Sequence, residues 1–451
     1  MASVGAGAKV EGLTRRLSEF TASFDLRSAP PSVIENAKIA ILDCLGVSIL
    51  ATTQEIGRAI ESFSAENSVA GPCTVWGTER KTNDRDAAFL NGTLAHGLDF
   101  DDRNHSSTYS LATPFAVAER HDLPTTKVLV SFIVGREIRN SLDPLFSHRG
   151  SGVGPGAKGW HSNGILGPIA AACAASKVLD LPHEQILTAI GLAAGAGGAL
   201  TRDGGTMAKP FRTGHAAATG LTCALLAKSG FSADDTVLEG RFGLLEALGP
   251  IPEQILDSLA ANLGTRLNLD SPIRGKRYAS CSASHTGLEA MLRLKQRHAI
   301  TPDQVESIEC DLKPYPLVRT QPGRGVEGRF SMPFCMAMGL IHGTLPTDGF
   351  SDHNVNDPAV RRLMGRTRHT PAESMLVVTL SDGRKLSEPV RKPTDFTTWD
   401  EIEAKFRQCV DGVLTPAQAE DVIGAVKRLD EGGPTRSLGK ALRSKTKEPV
   451  A

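Results

Sequence analysis

Apolar side chains recur every three to four positions through the first part of the chain, which is the spacing of one helix face. The segment that starts at the candidate N-cap Ser32 shows this pattern at Val33, Ala37, Ile41 and Leu45. Similar helices are predicted at 86–98, 112–120, 126–140, 164–179, 182–199 and 214–229. Many carry a face of alanine and glycine, so their axes can approach closely. The pattern predicts an all-helical domain over residues 1–268.

The periodicity changes after about residue 270. Residues 306–312 alternate apolar and polar side chains, and residues 375–386 carry Asp382-Gly383 between two β-rich runs. We therefore predict a strand and a hairpin, separated by helices at 285–297, 331–342 and 357–364. The pattern indicates an α+β domain over residues 269–398.

A helical period returns at Trp399. Residues 399–432 are predicted to form C-terminal helices that pack back on the first domain, one of them with Pro416 at its first position. Residues 433–451 are polar and basic and are predicted to be a disordered tail. The expected fold class is mainly α, with a large helical domain made from both chain ends and a smaller inserted α+β domain.

Charge and hydropathy disfavour nucleic-acid-binding and membrane-spanning proteins. The 50 basic and 50 acidic residues cancel, so no net field favours nucleic acid or an anionic membrane as a partner. The longest apolar run, residues 39–51, is interrupted by Asp43 and is shorter than the ~20 residues that span a bilayer. The N-terminus lacks a charged and then apolar leader. We expect a cytoplasmic protein.

The eight cysteines are scattered, without a C-x-x-C pair. This pattern is typical of reduced core residues and disfavours a cysteine-held iron–sulfur cluster. A dehydratase built on this chain would have to work with side chains alone.

Residues 91–105 carry the densest group of titratable side chains, namely His96, Asp99, Asp101, Asp102 and His105. Neighbouring carboxylates shift each other's pKa, and a carboxylate or imidazole with a shifted pKa can move protons. Two alternatives stay open. Asp101 and Asp102 could cap a turn while His96 packs in the core, or His96, Asp99, Asp101 and His105 could bind a metal.

Two further segments place basic side chains before alanine-rich helices. His161 lies between glycine-rich turns, where it could face a cleft or simply cap its own helix. Lys209 precedes Pro210, which predicts extended backbone there and an amine facing the start of the next helix. A cation beside a helix N-terminus forms a carboxylate site, to which Arg212 adds a planar fork. The alternative for Lys209 is a surface lysine.

The fourth segment, residues 276–285, lies at the proposed domain boundary, where active sites often form. It contains Lys276, Tyr278, Cys281 and His285. Cys281 is an alternative nucleophile, although no sequence feature marks its thiol as activated.

These segments resemble the MmgE/PrpD family, which includes 2-methylcitrate dehydratase, cis-aconitate decarboxylase and iminodisuccinate epimerase. The resemblance covers nearly the whole chain. It rests on Asn-Gly-x-x-Ala-His-x-Leu-Asp-Phe-Asp-Asp at 91–102, Gly-Trp-His at 159–161, Gly-Thr-Met-x-Lys-Pro at 205–210, Lys-x-Tyr-x-x-Cys-x-x-x-His at 276–285 and Phe-Ser-Met-Pro-Phe at 330–334.

The resemblance implies an inserted lid domain, a homodimer, and catalysis without metal or organic cofactor on a small anionic carboxylate substrate. The family's catalytic positions fall on Asp99, His105, His161, Lys209 and His285. Lys209 would hold a substrate carboxylate while the others handle protons. We assign substrate binding to Arg103, Arg212, Lys276 and Tyr278.

The chain departs from the family pattern near these positions. The loop between Asp102 and His105 is shorter than usual and is followed by Ser106 rather than proline; Arg212 replaces a frequent histidine, and Phe334 a frequent tyrosine. Dehydration of a 2-methylcitrate-like hydroxy acid is the leading expectation. The alternatives are decarboxylation of cis-aconitate, epimerisation of an imino- or amino-dicarboxylate such as iminodisuccinate, and a non-catalytic carboxylate-binding protein.

Overall fold

The computed structural model describes residues 12–146, 154–252, 254–256, 259, 264, 266–313, 317–370 and 374–444. Helices dominate these residues, which confirms the mainly α fold class. The helices are α1 Leu13–Ser23, α2 Pro31–Thr52, α3 Glu55–Asn67, α4 Asp84–Ala95, α5 Ser106–His121, α6 Thr125–Ser141, α7 Ser162–Val178, α8 His183–Gly195, α9 Ala208–Lys228, α10 Leu244–Ala247, α11 Ser282–His298, α12 Gly325–Gly328, α13 Met332–His342, α14 Asp352–Asn356, α15 Pro358–Gly365, α16 Trp399–Val410, α17 Pro416–Lys427 and α18 Thr435–Ala441. The strands are β1 Cys73–Thr74, β2 Lys81–Thr82, β3 Val305–Cys310, β4 Thr367–His369, β5 Met375–Leu380 and β6 Lys385–Pro389.

A four-stranded sheet in the order β4-β3-β5-β6 forms part of the second half of the chain. The predicted strand and hairpin are both confirmed, since β5 and β6 pair antiparallel and β5 also pairs antiparallel with β3. Gly383 takes the positive φ of 84° that the hairpin turn requires. The short edge strand β4, parallel to β3, was not predicted because three residues carry too little pattern.

Close contacts between small residues hold the first helices together. A side chain at Gly214 on α9 would place its Cβ 2.0 Å from Thr93 Oγ1 and 2.3 Å from the Phe89 carbonyl oxygen on α4. A Cβ at Gly220, farther along α9, would lie 2.4 Å from the Cβ of Ala171 on α7. Gly214 therefore lets α4 and α9 touch through their backbones. These two helices carry much of the candidate site.

The last helices contact the first ones. Phe406 on α16 packs against Gly46 of α2, where an added Cβ would lie 3.0 Å from the Phe406 ring. The Lys405 amine lies 2.7 Å from Asp43 Oδ1, and both side chains are buried. These contacts are consistent with the predicted packing of residues 399–432 on the first helices. The domain boundaries themselves stay a prediction.

The prediction of a disordered tail over residues 433–451 is wrong for its first part. Residues 435–441 form helix α18, on which Thr435 and Leu438 are buried, and Leu442 is buried directly after it. The basic residues around Leu438 and Leu442 obscured the helical pattern of these two apolar residues. Residues 445–451 lie outside the described residues.

Two helices begin about six residues earlier than the sequence predicted. Helix α5 begins at Ser106 rather than near residue 112, and α9 begins at Ala208 rather than near residue 214. Lys209 therefore lies in the first turn of α9 and not on extended backbone. Pro210 is accommodated there because the first N–H groups of a helix have no partner within it. Helices α1 and α3 were not predicted.

Within the part of the chain that the structure describes, every helix is too short or too polar to cross a membrane.

Candidate active site

Asp99 lies at the centre of the candidate site, between two lysines. It follows the end of α4, and its Oδ2 accepts a hydrogen bond of 3.1 Å from the Lys209 amine. The Lys276 amine donates to Asp99 Oδ1 and also, at 2.7 Å, to the Asp99 carbonyl oxygen. Burial alone would raise the pKa of Asp99, but the two ammonium groups outweigh it and hold that pKa well below its usual range. Asp99 is thus a buried, ionised carboxylate.

Asp101 connects two histidines. Its Oδ1 lies 2.9 Å from His96 Nδ1, and its Oδ2 lies 2.9 Å from His105 Nδ1. Burial lowers the pKa of both imidazoles, that of His105 to about 3, although Asp101 favours their protonated forms. The two rings are therefore neutral at physiological pH. The Lys209 amine lies 2.7 Å from His96 Nε2, so this network is continuous with that of Asp99.

The backbone is strained at two of these residues. Asp99 has φ of 51° and His105 has φ of 60°, in the left-handed region that non-glycine residues rarely adopt. Each such residue costs of order 1–3 kcal/mol and persists where the surroundings enforce it. Here the strain turns both side chains toward Lys209 and Asp101.

A cavity of about 370 Å³ lies beside this network. Lys209, His105 and His161 line it together with Arg103 and Arg139. The first residues of two long helices, α7 and α11, also line it, so the positive ends of both helices face the cavity. The cavity therefore combines three cationic side chains and two helix N-termini with two imidazoles, although each cation is paired with a carboxylate and Asp143 also lines the cavity.

His161 is the N-cap of α7, and its Nδ1 accepts a hydrogen bond of 3.3 Å from the Asn163 backbone N–H. The ring proton of the neutral imidazole is therefore carried by Nε2. His161 is at once a helix cap and a cavity residue, so the capping alternative and the functional one are compatible.

Arg103 lines the cavity, but its guanidinium is held by Asp395. Arg103 Nε lies 2.6 Å and 2.7 Å from the two Asp395 carboxylate oxygens. Arg274 donates to the same carboxylate at 2.9 Å, and Gly275 pairs with Phe396. These contacts join Arg103 and residues 274–275 to residues 395–396, just before helix α16.

The other predicted site residues do not line the cavity. Lys276 is buried behind Asp99, and His285 is fully buried, with Nε2 at 3.3 Å from the Ser280 carbonyl oxygen. The Tyr278 ring packs edge-on against His285 at 5.1 Å. Arg212 donates to Asp203 Oδ2 at 2.7 Å and to the Leu200 carbonyl oxygen. The roles assigned to these four residues remain predictions.

The metal-binding alternative involves atoms that lie close together. One ligand atom from each of His96, Asp99, Asp101 and His105 falls within 4.8 Å of the others. Lysine amines already contact two of these four residues, since Lys209 donates to His96 Nε2 and Asp99 Oδ2. The donor set is therefore better explained by ammonium groups than by a metal ion.

Cys281 lines the cavity as the N-cap of α11. Burial raises the pKa of its thiol, and the Asp99 carboxylate adds to that effect. A thiol that stays protonated is a poor nucleophile, which argues against the nucleophile alternative.

Sequence reasoning missed Arg139, Asn163 and the pairing role of Asp101. Arg139 donates to Asp143 Oδ1 at 2.7 Å and to Ser162 Oγ at 3.1 Å, which places its guanidinium beside the start of α7. A buried arginine on the apolar helix α6 was the available signal, since such a charge is rarely buried without a role.

Comparisons with known proteins show the family to which the chain belongs. The MmgE/PrpD N-terminal domain model matches residues 15–254, and the MmgE/PrpD C-terminal domain model matches residues 278–431. The chain belongs to the MmgE/PrpD family. The resemblance drawn from the motifs is thereby confirmed.

Several curated relatives are cis-aconitate decarboxylases. The human protein of that name is 26% identical over 430 residues, which cover 88% of each chain. The cis-aconitate decarboxylase of Aspergillus terreus is 24% identical over 490 residues, covering 97% of each chain. A cis-aconitate decarboxylase-like protein of Aspergillus oryzae is 24% identical over 468 residues, covering 94% of this chain and 96% of its own. This MmgE/PrpD chain thus matches those relatives over nearly their full length.

The buried histidines predict a loss of stability in mild acid. Burial lowers the pKa of His105 and of His285 from 6.5 to about 3, so only the unfolded chain takes up these protons as the pH falls below 6.5. Each histidine is expected to cost about 2 kcal/mol of unfolding free energy at pH 5 relative to pH 7. Urea unfolding at both pH values measures this loss.

The variant His285→Gln serves as the control, because it removes one of these titrating groups. Its free energy of unfolding should fall by about 2 kcal/mol less between pH 7 and pH 5 than that of the unmodified protein. Equal unfolding free energies at the two pH values in the unmodified protein would contradict the prediction.

Proposed function

We propose that this MmgE/PrpD protein is a lyase that needs no cofactor and decarboxylates a small unsaturated tricarboxylate such as cis-aconitate. The observation that carries the proposal is the cavity in which Lys209, Arg139 and two helix N-termini surround two imidazoles. Positive groups of this kind bind carboxylates, and an imidazole beside them can move a proton at an adjacent carbon.

The proposed reaction needs one proton donor and one cation. In cis-aconitate a CH₂–carboxylate group is attached to a carbon–carbon double bond. Breaking the bond between CH₂ and carboxylate releases CO₂, and its electron pair forms a new double bond. The electrons of the old double bond move to the carbon beside another carboxylate, and that carbon takes up a proton.

We assign proton delivery to His161 and charge stabilisation to Lys209. The hydrogen bond from Asn163 leaves the His161 proton on Nε2. Transfer of this proton to the reacting carbon would break the Nε2–H bond and leave an imidazolate, which would take up a proton from solvent. The Lys209 ammonium would stabilise the negative charge that spreads onto the carboxylate next to the reacting carbon. His105 lines the same cavity with a neutral ring. It would serve as the base where a substrate requires removal of a proton.

Decarboxylation now takes the place of dehydration as the leading reaction. The sequence alone placed dehydration first, whereas the curated relatives reported above are named for decarboxylation. Dehydration would use the same acid and would need His105 as well, so the chemistry of the site accommodates both reactions.

The test is incubation of the purified protein with cis-aconitate, 2-methylcitrate, citrate and iminodisuccinate in D₂O, followed by ¹H and ¹³C NMR. We expect cis-aconitate to lose CO₂ and to gain one deuterium on the carbon that is protonated. EDTA is expected to leave the rate unchanged. Loss of activity on addition of EDTA would show that a metal ion is needed and would overturn the cofactor-free mechanism.

Other outcomes would replace the proposal. Loss of water from 2-methylcitrate or citrate without CO₂ release would make the protein a dehydratase, and a change only at iminodisuccinate would make it an epimerase. Binding of these compounds without turnover would identify a carboxylate-binding protein.

We also propose that the protein is a cytoplasmic homodimer. The eight cysteines are free and buried, as is usual in a reducing compartment. Phe63 and Phe211 are each 48% exposed and both contact the Phe89 ring, so they form an apolar surface that a second copy could cover. Light scattering of the purified protein measures the mass directly.

A further inference from the structure

Asp101 is the one carboxylate of the 91–105 segment that contacts neither lysine nor arginine among the described hydrogen bonds and ion pairs. Its side chain is fully buried, and its two oxygens lie 2.9 Å from His96 Nδ1 and 2.9 Å from His105 Nδ1. The two imidazole rings lie close together, with centroids 4.2 Å apart. One carboxylate therefore contacts both histidines of the segment.

This geometry fixes where each ring carries its proton. An ionised carboxylate can only accept hydrogen bonds, so each histidine must donate from Nδ1. A neutral imidazole has a single N–H, so Nε2 of both rings is an acceptor. The two histidines are held in the same tautomer by the same group.

Both Nε2 atoms point at functional groups of the site. His96 Nε2 lies 2.7 Å from the Lys209 amine, which can donate to it only if that nitrogen has no proton. His105 Nε2 lies 3.7 Å from Asp99 Oδ1, which is too far for a hydrogen bond, so Asp101 is the group that sets the tautomer of this ring, which borders the cavity. The opposite tautomer would direct an N–H of His96 at the Lys209 ammonium, and the amine would have to move.

We propose that Asp101 is a positioning residue that sets the tautomer of both His96 and His105 and, through His96, fixes the amine of Lys209 at the cavity. The effect on catalysis rests on the proposed function. The effect on the two imidazoles does not, because it follows from hydrogen bonding alone.

Asp101→Asn is the variant that tests this role. The side chain keeps its shape, but one of its two atoms becomes an N–H₂ group that cannot accept. We expect the imidazole that faces this group to move its proton to Nε2, so that its Nδ1 can accept from the new N–H₂. Asp101 acts on decarboxylation through the Lys209 amine, so we expect kcat to fall by no more than the ~10²–10³-fold expected for loss of that charge, while KM changes less than about threefold.

The deciding readout is the tautomer of each ring, observed by long-range ¹H–¹⁵N NMR of protein labelled in histidine. Both signals are expected to show Nδ1–H in the unmodified protein, and one is expected to switch to Nε2–H in Asp101→Asn. The variants His96→Gln and His105→Gln assign the two signals, because each removes one of them.

Asp102→Asn is the matched control. Asp102 is the neighbouring buried carboxylate, but it pairs with Arg136 at 2.7 Å and contacts neither imidazole in the described hydrogen bonds. This change should destabilise the fold and leave both tautomers unchanged. A merely structural role of Asp101 would give the same result in both variants.

Three results would overturn the proposal. An Nε2–H tautomer of either ring in the unmodified protein would do so without any variant, even if Asp101→Asn failed to fold. Two unchanged tautomers in Asp101→Asn, or a switched tautomer with kcat within threefold, would also contradict it. If the protein turned over no substrate but both tautomers were as expected, the proposed function alone would fail.

Discussion

Replacing Lys209 by methionine is expected to lower kcat for decarboxylation by ~10²–10³-fold, the usual cost of one group that stabilises developing charge. Lys209 is the lysine that lines the cavity, and its amine is held by His96 and Asp99. Methionine keeps the length of the side chain and removes the charge. Steady-state rates with cis-aconitate and the melting temperature are the measurements.

The fold should survive this substitution because Asp99 keeps Lys276 as its second cation. Lys228→Met is the control, since Lys228 is an exposed lysine at the opposite end of the same helix. Its kcat should equal that of the unmodified protein. A Lys209→Met variant that retained more than a tenth of the activity would contradict the assigned role.

Gly214→Ala is expected to be the most destabilising single methyl addition in the contact between α4 and α9. The new Cβ would lie 2.0 Å from Thr93 Oγ1 and 2.3 Å from the Phe89 carbonyl oxygen, where only a shift of the two helices can relieve the overlap. We expect the free energy of unfolding to fall by about 3 kcal/mol or more. Activity should fall as well, because α4 leads into Asp99 and α9 carries Lys209.

Gly195→Ala makes the same chemical change where space is open. Gly195 ends α8, and a Cβ there would meet no atom within 4 Å. Its free energy of unfolding should stay within about 0.5 kcal/mol of that of the unmodified protein, as for most surface substitutions. Urea unfolding of both variants is the measurement, and equal stabilities would show that the helices separate without cost.

Periodicity sufficed for long elements and failed for short or mixed ones. The buried helices α2, α6 and α7 and the β5–β6 hairpin repeat their pattern often enough to be read from the sequence. The start of α9 was misplaced because Pro210 signals extended backbone, whereas the first turn of a helix tolerates proline. Helix α18 was missed because Leu438 and Leu442 lie among basic residues.

The sequence motifs named candidate site residues in several segments, including His161 and Lys209, but they did not predict which side chains contact each other. Asp99, Asp101 and His105 share one segment, so their density alone drew attention to them. Their partners come from elsewhere: which lysine reaches Asp99, and which arginine reaches the cavity, depends on how distant helices pack. Arg212 is an example: the sequence assigned it to substrate binding, whereas in the structure its guanidinium donates to Asp203.

The buried charges also constrain the order in which the chain can fold. Asp99 is paired with Lys276 from 177 residues farther along, and the Phe100 carbonyl oxygen accepts from Lys405 at a separation of 305 residues. Asp43 in α2 forms its ion pair with the same Lys405. Until the last helices leave the ribosome, the first helices would have to bury carboxylates without their cations. Chains that end before residue 399 lack Lys405 and should therefore be less stable than the full chain, because Asp43 would be buried without its cation.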